Sequence, residues 1–207
     1  MVIKMKLYRR LKKILGGFLR AILRIHSYGN ENEPKEGGVI VCANHTSFLD
    51  VIVLGVALDR PVRYLAKAEL FRIPVLCSLI KALGAYSVER GGGDVAAIKK
   101  TISLLGEGEC VGIFPQGHRH KKVHPSETAI HHGVGMIEYR SQAAVLPVFI
   151  KTKNYRMRLF GRKDVYIGQA ISFEEFNFEG GNTAEYKRTA QVIFDRIISL
   201  EPKEENK

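Results

Sequence analysis

Gly38-Val39-Ile40-Val41-Cys42-Ala43-Asn44-His45-Thr46-Ser47-Phe48-Leu49-Asp50 is the stretch on which the fold turns. Its first half is short, β-branched and glycine-bounded, which predicts a buried strand. The apolar run that follows, Val51 to Leu58, predicts a helix with Thr46 or Ser47 as its N-cap. Asp50 then falls in the first turn, where the helix dipole favours a carboxylate. His45 and Asp50 lie five apart, about 140° around an ideal helix, so they would not share a face if both were helical. With His45 on the loop before the cap, its ring can fold back over the first turn and meet the Asp50 carboxylate. An imidazole held by a carboxylate is the base half of a catalytic triad, here without a nucleophile of its own. The plainer alternative is a strand-end histidine beside a helix-capping aspartate.

Outward from that joint, strands and helices alternate. Val62 to Ala66 reads as a strand, Val75 to Leu83 as a helix, and Gly84 to Arg90 as a short strand ending beside Gly91, Gly92 and Gly93. A helix from Val95 to Leu105 leads to the strand Val111 to Phe114, which runs into Pro115, Gln116, Gly117, His118 and Arg119. A helix after Gly133, a β run around Pro147, a basic β-like segment from Lys151 to Gly168 and an amphipathic helix from Thr183 to Leu200 complete the pattern. This order predicts an α/β fold: one domain over residues 39–200, with a central mixed sheet flanked by helices. Ligands of open α/β sheets bind beyond strand ends, so His45, Arg90 and Arg119 are expected to converge. Glycines let backbone approach an anion closely, and an arginine fork suits phosphate. An arginine beside glycines is also what an ordinary solvated turn looks like.

A chain of 207 residues with 45% hydrophobic content is enough for one full core. Cys42, Cys77 and Cys110 are widely spaced in apolar surroundings and read as small core residues of a reducing compartment, not as a disulfide frame or metal motif. The formal net charge of +11 calls for an anionic partner. Eight basic residues and no acidic one fall within Met1 to Ile25, where Leu7, Leu11, Ile14, Leu15, Phe18, Ile22 and Ile25 make a single apolar stripe. The longest apolar stretch there, Ile14 to Leu19, is far below the ~18–20 residues of a spanning helix. Residues 1–27 therefore read as a basic amphipathic helix lying in an anionic membrane interface, residues 28–38 as a hinge, and 201–207 as a charged tail. The alternative is a helix packed on its own domain with a solvated basic face. Nucleic acid is not expected as a partner, since aromatics are not interleaved with the basic run and no recognition motif appears. Five of the seven histidines lie between His118 and His132, but Lys121, Lys122 and Arg119 beside them oppose a cation, so no metal and no cofactor are expected.

Taken in order, these motifs resemble the glycerolipid acyltransferases, specifically the bacterial 1-acylglycerol-3-phosphate acyltransferase family. The family's Asn-His-x4-Asp matches Asn44, His45 and Asp50. Its glycine-to-arginine strand is similar to Gly84 through Arg90, preceded by a lead-in like Lys67, Glu69, Leu70, Phe71 and Pro74. Its Phe-Pro-Glu-Gly-Thr-Arg appears as Phe114-Pro115-Gln116-Gly117-His118-Arg119, and its proline after a β run as Pro147. The resemblance spans Val39 to Ile171. It implies transfer of a fatty acyl group from acyl-CoA or acyl-carrier protein to the 2-hydroxyl of a lysophosphatidate, giving phosphatidate in phospholipid biosynthesis. His45 and Asp50 would be catalytic, Arg90 and Arg119 would bind the acceptor's phosphate, and Phe114 to His118 would form a substrate-binding loop. The place of work would be the cytoplasmic face of the cell membrane, with the protein peripheral or monotopic. Gln116 and His118 depart from the family's glutamate and threonine, which leaves acylation of another lysolipid open. A non-enzymatic basic membrane- or nucleic-acid-binding protein is the reading from a different class.

Overall fold

The computed structural model describes residues 16–64 and 93–203. Val39–Ala43 forms strand β2, and every residue of it is buried. Val39, Val41 and Ala43 enter one apolar cluster, Ile40 and Cys42 another on the opposite face. Both faces of the strand are thus covered, as expected of a strand with parallel neighbours. Around it lie β1 (Ile25–Tyr28), β3 (Val62–Tyr64), β4 (Cys110–Ile113), β5 (Ala144–Thr152) and β6 (Lys163–Ile167). Among the described residues the strand order is β1-β6-β5-β2-β4-β3. β3, β4, β2 and β5 run parallel, while β6 returns antiparallel to β5 and β1 pairs parallel with β6. The sheet is mixed, as the alternation of elements predicted.

Helix α1 (Asp50–Ala57) covers the Val39 face with Val53, Leu54 and Ala57. On the other face α2 (Gly93–Gly106), α3 (Gly133–Ser141) and α4 (Thr183–Ser199) pack onto Ile40, Cys42, Val145 and Phe149. α4 presents Ala190, Ile193, Phe194 and Ile197 to that cluster, the three-and-four spacing of a buried helical face. Its start is fixed by the Asn182 side chain, which accepts from the amides of Ala184 and Glu185. The Glu185 carboxylate in turn accepts from the amides of Glu179, Gly180, Gly181 and Asn182. Those backbone donors hold its pKa down at about 2. α3 and α4 approach closely enough that a Cβ at Gly135 would run into the Tyr186 carbonyl.

The N-terminal region departs from expectation. Helical residues end at 22, and Ile25–Tyr28 is a strand of the sheet, not the last turn of a helix reaching 27. Ile25 is 3% exposed, so the apolar stripe of the sequence ends in the core. Arg20 donates from Nη2 to Ser27 Oγ at 2.6 Å and to the Ala57 carbonyl at 3.2 Å, tying the helical end to the domain. The expected hinge over 28–38 is a strut. Glu33 is buried and accepts from the amides of Asp59 and Arg60 at 2.6 and 2.7 Å, and Arg60 donates to the carbonyls of Pro34, Glu36, Gly37 and Gly108. Two charged residues that look solvent-facing in the sequence are spent on backbone groups. Cys42 and Cys110 are buried in the core. Cys77, the expected helix from Val75 to Leu83 and the strand from Gly84 to Arg90 lie outside the described residues.

Candidate active site

Where β2 ends, Asn44 replaces backbone with side chain. Its Nδ2 donates to the Ile150 carbonyl at 3.1 Å, and its Oδ1 accepts from the Ile150 amide at 2.7 Å. The buried amide thereby continues the β2–β5 ladder one step past Ala43↔Val148 while the main chain turns away. His45 stands at that turn. Its Nδ1 is 2.8 Å from Asp50 Oδ2, so the ring does fold back over the start of α1. The same carboxylate oxygen accepts from the amides of Thr46 at 2.6 Å and Ser47 at 2.8 Å. Asp50 is wholly buried, the His45 side chain 15% exposed. The roles of cap and capped are reversed from the sequence expectation. Neither Thr46 nor Ser47 caps α1 with its side chain: the N-cap position is Leu49, and Ser47 Oγ accepts from the Leu49 amide at 3.2 Å. A carboxylate on the first turn outcompetes a hydroxyl because its hydrogen bonds are charge-assisted.

Phe114, just beyond β4, stacks on the imidazole with centroids 3.9 Å apart and planes 13° from parallel. The loop it opens is tied to the site by backbone: the His120 amide donates to the His45 carbonyl at 2.9 Å, and the His131 amide to the Pro115 carbonyl at 2.8 Å. The Gln116 side chain is turned inward. It is 2% exposed, its Oε1 accepts from the His45 amide at 2.6 Å, and its Nε2 donates to Thr128 Oγ1 at 2.7 Å. The residue expected in the substrate-binding loop straps the turn that carries His45 from beneath. Gly117 has φ +68°, and a Cβ there would collide with the His131 ring. His118 and Arg119 are exposed, with the His118 ring edge-on to His131 at 6.0 Å. His124 is drawn away into a separate contact, its Nε2 2.8 Å from Glu201 and its Nδ1 accepting from the Ser126 amide. Arg90 lies outside the described residues.

Beside Thr46 and Ser47 opens a cleft of about 310 Å³, whose other walls are Lys121, Lys122, Arg156 and Met157. Sequence reasoning noted the two lysines as a basic loop and missed Arg156 altogether. Arg156 follows β5 by sequence and comes to the site where the Lys122 amide donates to the neighbouring Tyr155 carbonyl at 3.0 Å. No local signal in the chain could have found it.

The fold and the site together define an α/β enzyme with a carboxylate-held imidazole at the end of a central parallel strand. Residues 24–151 match the family model described as Acyltransferase. A 1-acyl-sn-glycerol-3-phosphate acyltransferase of Bacillus subtilis is 32% identical over 171 residues, covering 79% of this chain and 84% of that one. A protein of the same name from Borreliella burgdorferi is 34% identical over 101 residues, 48% of this chain and 40% of its own. Among solved structures, the 1-acyl-sn-glycerophosphate (LPA) acyltransferase PlsC of Thermotoga maritima superposes with a TM-score of 0.69 at 22% identity, over 96% of this chain and 81% of that one. The chain belongs to the acyltransferase family and is an O-acyltransferase.

Proposed function

We propose that this enzyme transfers a fatty acyl group from an acyl thioester, on acyl-CoA or acyl-carrier protein, to the 2-hydroxyl of 1-acylglycerol-3-phosphate, forming phosphatidate. The observation that carries the chemistry is the 2.8 Å contact between His45 Nδ1 and an Asp50 oxygen already bonded to two amides. An oxygen that accepts from two N–H groups accepts from the third partner as well, so the imidazole proton sits on Nδ1 and the lone pair on Nε2. An alcohol is too weakly acidic to attack a thioester unaided near neutral pH. His45 Nε2 takes the hydroxyl proton as the oxygen attacks the thioester carbon, and Asp50 stabilises the imidazolium that forms. The tetrahedral intermediate collapses with loss of the thiolate, which recovers a proton from His45. The nucleophile is the substrate's own oxygen and no acyl-enzyme is formed. The Phe114 ring against one face of the imidazole keeps the ring from rotating out of this geometry.

The acceptor's phosphate is met by Arg119, by Arg90, and by the cleft of Lys121, Lys122 and Arg156 next to Thr46 and Ser47. Three cations beside one catalytic turn favour a phosphorylated acceptor over a neutral one. The names of the Bacillus subtilis and Borreliella burgdorferi relatives point to the same acceptor. Acyl chains of donor and acceptor meet at the cytoplasmic face of a membrane, on which the basic N-terminal residues lie. Among the described residues no helix is long and apolar enough to cross a membrane.

Turnover of the purified chain with acyl-CoA and with acyl-carrier protein, against a panel of lysolipids and read by product mass, tests the reading. Phosphatidate is the expected product. Arg119→Ala should lower kcat/KM for the phosphorylated acceptor roughly ten- to a hundred-fold, the worth of one charge-assisted hydrogen bond. Acylation of an unphosphorylated lysolipid in preference to 1-acylglycerol-3-phosphate would overturn it.

A further inference from the structure

β5 runs past the end of β2 at the catalytic end of the sheet, and the chain turns there through residues 153–162 before β6 comes back. That tip carries Leu159 and Phe160, which are 47% and 65% exposed. Lys153, Arg156 and Arg158 stand exposed around them, and no acidic side chain occurs between Lys151 and Lys163. The next acid along the chain, Asp164, is paired with Arg162 at 2.9 Å, and Glu201, which meets the base of the turn at Tyr155, is paired with Lys151 at 3.6 Å and His124 at 2.8 Å. Two large apolar side chains in water within a cationic collar are the composition of a bilayer-interface contact.

The tip is braced. The Lys163 side chain, 1% exposed, donates from Nζ to the carbonyls of Leu159 at 2.6 Å, Leu23 at 2.7 Å and Gly161 at 2.9 Å. One ammonium therefore pins the hairpin tip to the end of the helical residues 16–22. Because β1 is parallel to β6, with Ile25 opposite Lys163, that helical end lies at the same end of the sheet as the tip. It exposes Phe18 at 62% and Ile22 at 40%. Two exposed apolar pairs, distant in sequence, are thus mounted on one support beside the cleft to which Arg156 and Met157 contribute.

We propose that the β5–β6 tip inserts Leu159 and Phe160 into the interface of an anionic bilayer, seating the catalytic end of the sheet on the membrane. This rests on the membrane-surface reading above and adds a second contact to the N-terminal one. The basic collar lies at headgroup level and the two apolar side chains below it. The cleft beside His45 then opens toward the lipid from which a lysolipid acceptor must come.

The chain has no tryptophan, so Phe160→Trp in the full-length protein places a single reporter at the tip. Val192→Trp on α4, 39% exposed, is the comparison. With vesicles of phosphatidylcholine containing phosphatidylglycerol, the reporter at 160 should shift its emission to the blue and be quenched by lipids brominated on the acyl chain. The reporter at 192 should do neither, and phosphatidylcholine alone should have little effect. Leu159→Ser with Phe160→Ser should weaken vesicle binding about tenfold or more with only a small change in thermal unfolding, since about half or more of each residue is in water. If the protein floats with the vesicles while the reporter at 160 stays in water, the tip proposal falls and the N-terminal contact stands. If the full-length protein does not float at all, both fall. A blue shift that follows protein concentration without lipid would assign the tip to a second copy of the chain. A shift produced only by a soluble acidic carrier protein would assign it to the donor. Either result overturns the proposal.

Discussion

The His45–Asp50 pair concentrates three hydrogen bonds on one carboxylate oxygen, and its replacements separate chemistry from structure. His45→Ala should leave less than a tenth of wild-type turnover, since general-base assistance is typically worth ~10²–10⁴ in rate. Thermal unfolding should barely move, because the ring packs on Phe114 at the edge of the site and not within the core. Asp50→Asn should be nearly as severe in kcat and should also lower the melting temperature, as the uncharged amide holds the Thr46 and Ser47 amides less strongly. Steady-state kinetics beside calorimetry on the two variants checks this; turnover above a tenth in His45→Ala would remove the base assignment. Gln116 asks a different question. Its amide nitrogen donates to Thr128 Oγ1, whose own hydroxyl is committed to the Pro125 carbonyl at 2.6 Å. A glutamate there meets an oxygen where a donor was needed, and brings a charge into a buried place. Gln116→Glu is therefore expected to cost about 1–2 kcal/mol, roughly 2–8 °C in melting temperature, while leaving acceptor preference where it is. A changed ratio of kcat/KM between lysophosphatidate and a second acceptor would show that this side chain meets substrate after all. That the residue departs from the family motif was legible in the sequence. Which way it points was not, because its partners, the His45 amide and Thr128, lie 71 and 12 residues away along the chain.

Among the elements, α3 carries an unusual load. Glu138 is fully buried, and neither carboxylate oxygen has a hydrogen-bond partner among the described residues. Burial first, and the Glu174 charge second, raise its pKa to about 8 from an ordinary 4.5; Glu138 in turn adds to the burial that pushes the Cys42 thiol up. Between those two pH values the folded chain holds a proton that the unfolded chain has released. Stability contributed by the neutral acid is present below about pH 4.5 and is lost as pH rises toward 8. Thermal unfolding followed from pH 5 to about pH 9 should show the wild type losing stability through that window. Glu138→Gln should give a flatter curve, and parallel curves for the two proteins would place the proton elsewhere. The existence of α3 could be read from the sequence, as could α1, α2, α4, β2 and β4, since each is a contiguous apolar pattern bounded by glycine or a polar turn. β1 could not: Ile25 continues the helical stripe of the residues before it, and only pairing with β6 makes a strand of Ile25–Tyr28.

At the scale of the whole molecule, the relation of the basic N-terminus to the domain sets how it can be removed. Arg20 is bonded to Ser27 and Ala57, and Ile25 is in the sheet, so a cut at residue 25 would damage the fold. Deleting residues 1–15 spares those contacts. It removes six of the eight basic residues before Ile25 and should weaken binding to anionic vesicles with a loss of salt sensitivity, each cation near the surface being worth ~1 kcal/mol. Flotation across a salt series, full length against truncated, is the measurement. Equal flotation at every salt concentration would mean that these fifteen residues do not bind the membrane.

Taken by itself, the sequence determined the strand–loop–helix joint, the meeting of His45 with Asp50, the α/β class and the family motifs. All of these are set by residues near one another along the chain, where periodicity and short spacings carry the information. The tertiary structure alone decided that β6 would return antiparallel beside β5 and bring β1 to the edge of the sheet. It also decided that Gln116 would brace the turn that carries His45, and that Arg156 would join Lys121 and Lys122 beside Ser47. The hydrogen bonds involved join distant segments: the β5–β6 and β1–β6 ladders, the His45 amide to Gln116 Oε1, and the Lys122 amide to the Tyr155 carbonyl. Any backbone amide or carbonyl can form such a bond. Its partner is chosen by how the whole sheet closes, and residue identity along the chain does not reveal that choice.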